Sequence, residues 1–484
     1  MIPIPSTAMP ATHQSSEPKT MPNDNETLTV LPNPSLMLDK LAMSESPIQA
    51  ETHIRDIYPK TPTTGLSRNW FTNDLAQKFA LYQVAAVTGM SEQFIRRVIP
   101  KAGESVTLAE LLDLLDLDAY AETFIPRSRI PAYLLSLQGA EPKSSLVINK
   151  DHLLQQGCAK DLIPRLESGS IQCVVTSTPY WGMRLYNDAA PVSWADGETC
   201  VFGNEQTPES FVRHTTELLY LLKPALTASG SVWWNLMDTY NTRTQIRQNA
   251  AETLRAMQGK DQRGWLDYDC RRYSAGHSYL KDGEQCSIPA KVAERASRLG
   301  YYVKSMISWT KGQSMPETVS SRVTREVEYI IHLSIERTPL FNKDSYMSLP
   351  AVLGGRNLET ESGKLTDVWA FSTSAGRDGH GAQFPLALPS RCIALSTKPG
   401  DCVLDPFVGS GTTLVAAASL KRRGIGFDIS KSYLATASER LRLLTMPDEE
   451  KLKAEQKPKV PAKSSNQSVQ EPTEQESLQL FATQ

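Results

Sequence analysis

The chain contains no apolar run approaching the roughly 20 residues that a membrane-spanning helix needs, and no charged-then-apolar leader opens it. Membrane and secreted classes are therefore set aside. Its 7 cysteines (158, 173, 200, 270, 286, 392, 402) are odd in number and never fall as C-x-x-C, which argues against zinc ribbons and disulfide frameworks and suits a reducing cytosol. Neither sign of charge is in excess: 51 Lys+Arg stand against 53 Asp+Glu in 484 residues, a net charge of -2. Any contact with nucleic acid has to come from local patches, since no global basic field exists. Internal repeats are missing as well. The length allows two or three domains.

Aromatic residues are absent from Met1 to Ile57, where prolines recur among Ser, Thr, Asn and Gln. Such a segment buries too little apolar area to offset its ordering entropy, so 1–66 is expected to be a disordered leader and 447–484 a matching tail. Between them, 67–140 reads as helical. In Leu81 to Ile99, Ala85 sits where two helices approach, Gly89 at the turn and Ser91 as a cap, with Val84, Ile95 and Val98 facing inward. The spacing resembles a helix-turn-helix, whose second helix offers Gln93, Arg96 and Arg97 to a groove or to phosphates; a small bundle with solvated arginines is the alternative. Thr107 and Glu110 form a capping box for the next helix.

From 145 to 446 short β-branched or aromatic runs alternate with helical stretches, the signature of α/β architecture. Strands are expected at 173–177, 231–236, 303–309, 329–334, 402–407 and 424–429. Several are apolar throughout, as parallel strands covered on both faces are.

Two stretches carry chemistry. After CVLDPF the chain runs Val408, Gly409, Ser410, Gly411, Thr412 and Thr413 into an Ala/Leu-rich helix, so glycines at a strand-to-helix turn let backbone approach a ligand at free N–H groups. Asp428 ends the next strand, about 20 residues on, where an acidic residue accepts hydrogen bonds from ribose hydroxyls. The third glycine of a dinucleotide fingerprint is missing, which favours another nucleoside. The second stretch, Thr176-Ser177-Thr178-Pro179-Tyr180-Trp181-Gly182, places a hydroxyl, a rigid turn and two aromatic rings at a strand's carboxyl end, where open α/β sheets bind ligands.

Ser177 to Tyr180 resembles the S-P-P-Y motif of amino-methylating DNA methyltransferases, and DPFVGSGT resembles their S-adenosylmethionine loop. The segments 202–240, 304–334 and 379–388 resemble the family's intervening blocks, so about 300 residues match with the motifs in the permuted, β-type order. The resemblance implies a Rossmann-like methyltransferase fold with a mostly parallel sheet. It implies transfer of a methyl group from S-adenosylmethionine to an exocyclic amine of a base flipped out of duplex DNA, with no metal. Ser177 and the carbonyl of Thr178 would accept hydrogen bonds from the amine, Pro179 would stiffen the turn, and Tyr180 would stack on the base. Asp405, Pro406, Phe407, Gly409, Ser410, Gly411, Thr412, Asp428, Phe384 and Cys158 would bind the cofactor.

Serine at the first catalytic position points to cytosine N4, with adenine N6 or a catalytically impaired DNA-binding regulator as alternatives. The chain departs from the family at Thr178, usually proline, and at Gly157-Cys158, usually Gly-Asp, for which Asp161 is a substitute. Target recognition is expected from about 312–378, with the insertion 241–283 adding contacts. Arg322, Arg325, Arg243, Arg247, Arg271 and Arg272 are candidates for phosphates. A monomer or homodimer in the cytoplasm, with a cognate restriction endonuclease as a possible partner, completes the expectation.

Overall fold

The computed structural model describes residues 75–445, apart from internal stretches of ten residues or fewer, among them 139–143, 147–150, 247–251, 313–318 and 374–383. The leader, the tail, Arg247 and the segment around His380 lie outside the described residues. Among those described, no helix is long and apolar enough to cross a membrane.

The helical region forms as its caps dictate. Strand β1 (Lys78–Ala80) leads into helices α1 (Leu81–Thr88) and α2 (Glu92–Val98), then β2 (Ser105–Thr107), α3 (Leu108–Leu117) and α4 (Ile130–Ser136). Gly89 ends α1 with φ 72°, and the Ser91 hydroxyl accepts from the Phe94 N–H at 3.1 Å. The capping box at Thr107 and Glu110 is complete. Val84 and Ile95 are fully buried between the helices. The antiparallel pairing of β1 with β2 was not expected from the sequence; three-residue strands are too short to show a period.

Beyond it come β3 (His152–Gln156), α5 (Ala159–Leu162), β4 (Ile171–Ser177), α6 (Pro208–Leu222), β5 (Leu226–Leu236), α7 (Ile288–Arg298), β6 (Tyr302–Thr310), β7 (Val327–Ser334), α8 (Lys343–Met347), β8 (Val368–Ala370), α9 (Ala387–Ser396), β9 (Cys402–Asp405), α10 (Thr412–Ser419), β10 (Arg423–Asp428) and α11 (Lys431–Thr445). One sheet takes eight of these strands in the order β8-β6-β7-β5-β4-β9-β10-β3, parallel except that β7 runs against both neighbours. This is the Rossmann-like arrangement expected. All six expected strands are present. The two that the sequence did not reveal, β3 and β8, are the sheet's edges, where one flank is uncovered and an apolar run is not required.

The strand period of two divides the core cleanly. Val174, Val232, Trp234 and Leu404 face α6 and α7, burying Phe211, Leu218 and Val292, whereas Cys173, Val175, Trp233 and Val403 face α9 and α10 with Leu388, Ile393 and Ala416. The helical region joins the first of these cores. Phe124 stacks on Tyr220 of α6 with centroids 4.7 Å apart, and Arg295 of α7 donates to Glu122 at 2.7 Å and to the Thr123 carbonyl at 2.8 Å. Two strands of the sheet, β7 and β8, fall within 312–378, the stretch expected to carry target recognition.

Phe124 is fully buried at this junction. Phe124→Ala is expected to cost about 3–5 kcal/mol. Thermal unfolding should show one cooperative transition moved to lower temperature; two transitions, only one of them shifted, would mean that the helical region folds by itself.

Candidate active site and cofactor pocket

At the carboxyl ends of β4, β9 and β10 lies a cavity of about 540 Å³. One wall is the loop between β9 and α10, and Asp405 beneath it decides its shape. The Asp405 carboxylate is completely buried and accepts hydrogen bonds from Thr176 Oγ1 at 2.7 Å, Thr413 Oγ1 at 2.6 Å and the Phe407 N–H at 3.0 Å. Burial pushes its pKa up to about 6 against the pull of these donors. Asp405 thus holds the loop from below and is not on the cavity wall; Pro406, Phe407, Gly409, Ser410 and Thr412 are. Gly411 is also off the wall. It has φ 85°, and a Cβ there would come within 2.7 Å of the Ala437 Cβ, so glycine allows the loop to close on α11.

Asp428 ends β10 on the opposite side of the loop. Its two carboxylate oxygens accept the Gly409 and Ser430 N–H groups, each at 2.9 Å, and burial raises its pKa. A carboxylate oxygen has capacity for a second donor, so Asp428 both ties the loop and presents an acceptor to the cavity. Cys158 and Phe384 line the cavity. Burial raises the Cys158 thiol's pKa, which keeps it neutral. Asp161 is exposed on α5 and off the wall; besides Asp428, the wall carries the carboxylate of Asp188, which accepts from Ser430 Oγ. Sequence offered no signal for Asp188, since it lies in an irregular loop. The apolar walls, the carboxylates and the backbone-lined loop fit a nucleoside carrying a charged tail.

Ser177, the last residue of β4, and Pro179 share this cavity. Behind Ser177 stands a network that the sequence reading missed. Ser177 Oγ is 3.0 Å from the Tyr180 hydroxyl, and Asn235 Nδ2 reaches Ser177 Oγ at 3.2 Å, Tyr180 Oη at 2.7 Å and Glu328 Oε2 at 2.6 Å. Tyr180 donates to the same Glu328 oxygen, and Lys311 Nζ lies 2.5 Å from the other. Burial first, and then the Glu328 charge, hold the Tyr180 pKa well above its ordinary value. Nothing local in the sequence marks Glu328, Asn235 and Lys311 as neighbours of Ser177. Only the register shows their place: Ser177 pairs with Asn235 on β5, and Asn235 with Ile330 on β7.

Thr178, which replaces the usual proline, is 4% exposed, and its hydroxyl has no hydrogen-bond partner among the described residues. Trp181 is buried under the Arg272 guanidinium, 3.5 Å from its ring, and donates to the Glu205 carbonyl. Asp238 has a structural role, accepting the Ser287 and Ile288 N–H groups at the start of α7, each at 2.9 Å. Among the described residues one group, Glu198, Cys200 and His214, brings three potential metal ligands within 4.8 Å of one another. The His214 ring nitrogens already face Glu205 at 3.0 Å and Asp196 at 3.3 Å. Burial disfavours charge on this ring, but bonds to Asp196, Cys200 and Glu205 outweigh it and push its pKa up to about 11.

The family model described as DNA methylase matches residues 171–439, more than half of the chain. The chain belongs to this family of N6/N4 methyltransferases. It is 30% identical over 320 residues to the type II methyltransferase M.Cfr9I of Citrobacter freundii, covering 65% of this chain and 94% of that one. It is 28% identical over 292 residues to M.SmaI of Serratia marcescens, covering 59% and 89%. Among solved structures it aligns with the cytosine-N4-specific PvuII DNA methyltransferase over 65% of this chain and 94% of that one, with 17% identity and a TM-score of 0.43.

On the methylase's helical region Gln93 and Arg97 are exposed, but Arg96 is turned to its own module, donating to the Gly103 carbonyl and to Glu104 at 3.1 Å. Arg322 and Arg325 stack over Tyr240, 4.0 and 5.2 Å from its ring, just beyond the carboxyl end of β5.

Two substitutions test the site. Asp428→Ala removes a wall acceptor and a loop tether together, so calorimetric affinity for S-adenosylmethionine should fall by at least tenfold; unchanged affinity places the contact elsewhere. Thr178→Val deletes an unpartnered buried hydroxyl at constant shape, so it should raise the unfolding temperature by an amount equivalent to about 1 kcal/mol. A lowered temperature would reveal a partner for that hydroxyl.

Proposed function

We propose that this methylase transfers a methyl group from S-adenosylmethionine to N4 of cytosine in duplex DNA. The observation that carries the reading is Ser177: a hydroxyl, not a carboxylate, stands at the end of β4 on the wall of the nucleoside-sized cavity. S-adenosylmethionine supplies an electrophilic methyl group on a sulfonium. Asp428, Gly409, Ser410 and Thr412 would hold its nucleoside part, and Phe384 would pack near its other end.

An exocyclic amine is a poor nucleophile because its lone pair is delocalised into the ring. Ser177 Oγ and the Thr178 carbonyl accept the two amine hydrogens and so turn the lone pair outward. Pro179 keeps the turn stiff, and Tyr180 offers a ring for the flipped base. Catalysis on this reading is positioning with electrostatic support, and no covalent intermediate with the base is formed. Arg322, Gln93 and Arg97 are candidate contacts to DNA, with phosphate the natural target of the arginines. Similarity to proteins named type II methyltransferases supports a place in a restriction-modification system, with a cognate endonuclease as partner.

The test is to incubate unmodified DNA with protein and S-adenosylmethionine, digest it and analyse the nucleosides by mass spectrometry. N4-methylcytosine is the expected product; N6-methyladenine would move the assignment to adenine, and DNA binding without any modified base would favour a regulator. Ser177→Ala should lower transfer on the order of 10²-fold while leaving cofactor affinity intact. Unchanged turnover would remove the role given to that hydroxyl.

A further inference from the structure

We infer that Glu328, acting through Tyr180 and Asn235, is a positioning residue that sets the direction of the Ser177 hydroxyl, so that Ser177 meets the target amine only as an acceptor. The inference rests on the reading of the site as an amine methylase.

A serine hydroxyl has one hydrogen and two lone pairs, and rotation makes it donor or acceptor toward a given neighbour. In amine methylation the difference decides the outcome. A Ser177 hydroxyl that donated to the amine nitrogen would occupy the lone pair needed for the methyl group. One that accepts an amine hydrogen leaves that pair free.

The network removes the choice. A carboxylate only accepts, so the Tyr180 hydrogen, directed at Glu328 Oε2, is committed there. On its other side the Tyr180 oxygen can then only accept, and the groups within reach are Ser177 Oγ at 3.0 Å and Asn235 Nδ2 at 2.7 Å. The Asn235 amide has its own direction imposed by Glu328: its nitrogen must face the carboxylate at 2.6 Å, because the amide oxygen there would oppose a negative charge. Asn235 therefore offers Ser177 a donor at 3.2 Å and no acceptor. The Ser177 hydrogen turns inward to Tyr180, and its remaining lone pair faces the cavity. Lys311, 2.5 Å from Glu328 Oε1, supplies the counter-charge for a carboxylate that is only 6% exposed. A structural role for Glu328 would be met by any group of its shape; this role requires a group that cannot donate.

Glu328→Gln tests the distinction because it keeps the shape and introduces a donor. The glutamine amide can donate to the Tyr180 oxygen, which frees the Tyr180 hydrogen to point at Ser177 and turns the Ser177 hydrogen toward the cavity. The measurement is methyl incorporation into duplex DNA by wild type, Glu328→Gln, Tyr180→Phe and the double variant, with S-adenosylmethionine and DNA affinities determined separately. Glu328→Gln is expected to lower kcat on the order of 10²-fold with both affinities within about twofold of wild type. In the Tyr180→Phe background, where the Ser177 hydrogen has already lost its inward acceptor, the same change should cost less than about threefold. Equal losses in both backgrounds, or a loss that resides in affinity, would overturn the inference. So would wild-type kcat in Glu328→Gln. A wild-type chain that transfers no methyl group to any DNA would overturn the underlying reading, and this inference with it.

Discussion

The buried carboxylate of Asp405 joins the two halves of the site. Thr176 belongs to the strand that carries Ser177, whereas Phe407 and Thr413 belong to the loop and helix that form the cofactor wall, and all three donate to this one group. A carboxylate without solvent is costly unless its oxygens are filled, and here three donors fill them. Because those donors come from β4 and from the β9–α10 turn, the group fixes the position of the Ser177 end of β4 relative to the cavity. The pKa pushed up to about 6 is the trace of that burial.

A second carboxylate, Glu328, works differently. It does not connect sections of backbone but ends a chain of hydrogen bonds at an acceptor, which imposes one direction on Tyr180 and Asn235. The reversed strand β7 makes this possible. Running against β5, it brings the start of the strand to the edge of the sheet where the parallel strands end, and so places Glu328 beside Ser177 and Asn235. The same edge carries Lys311 at the end of β6 and the Arg322 and Arg325 pair over Tyr240. A protein with a net charge of -2 thus sets three cations along one edge of its sheet.

Much of this was legible before folding. Central strands buried on both faces have to be apolar, so β4, β5, β7 and β9 declared themselves, and glycine caps and a capping box announced the helical region. Edge strands β3 and β8 did not, because a half-covered strand carries no continuous apolar signal. The loop glycines, Ser177 and Asp428 stood out because each sits at a strand end with a residue type its position requires. Asp405 was singled out for the right motif but the wrong contact: it supports the loop from beneath. Asp188 lines the cavity and Asp161 does not, because proximity in sequence to Cys158 is not proximity to the wall.

The sequence by itself determined the α/β class, the order of the motifs and the residues at the carboxyl ends of β4 and β9, since local periodicity and turn chemistry act over a few neighbours. Tertiary structure alone decided which distant side chains meet. Ser177, Asn235 and Glu328 lie on three strands whose adjacency follows from sheet order and from one reversal of direction, and neither can be read from any single segment. The direction of a hydroxyl hydrogen depends on all of these contacts at once, so that property emerges only in the folded chain.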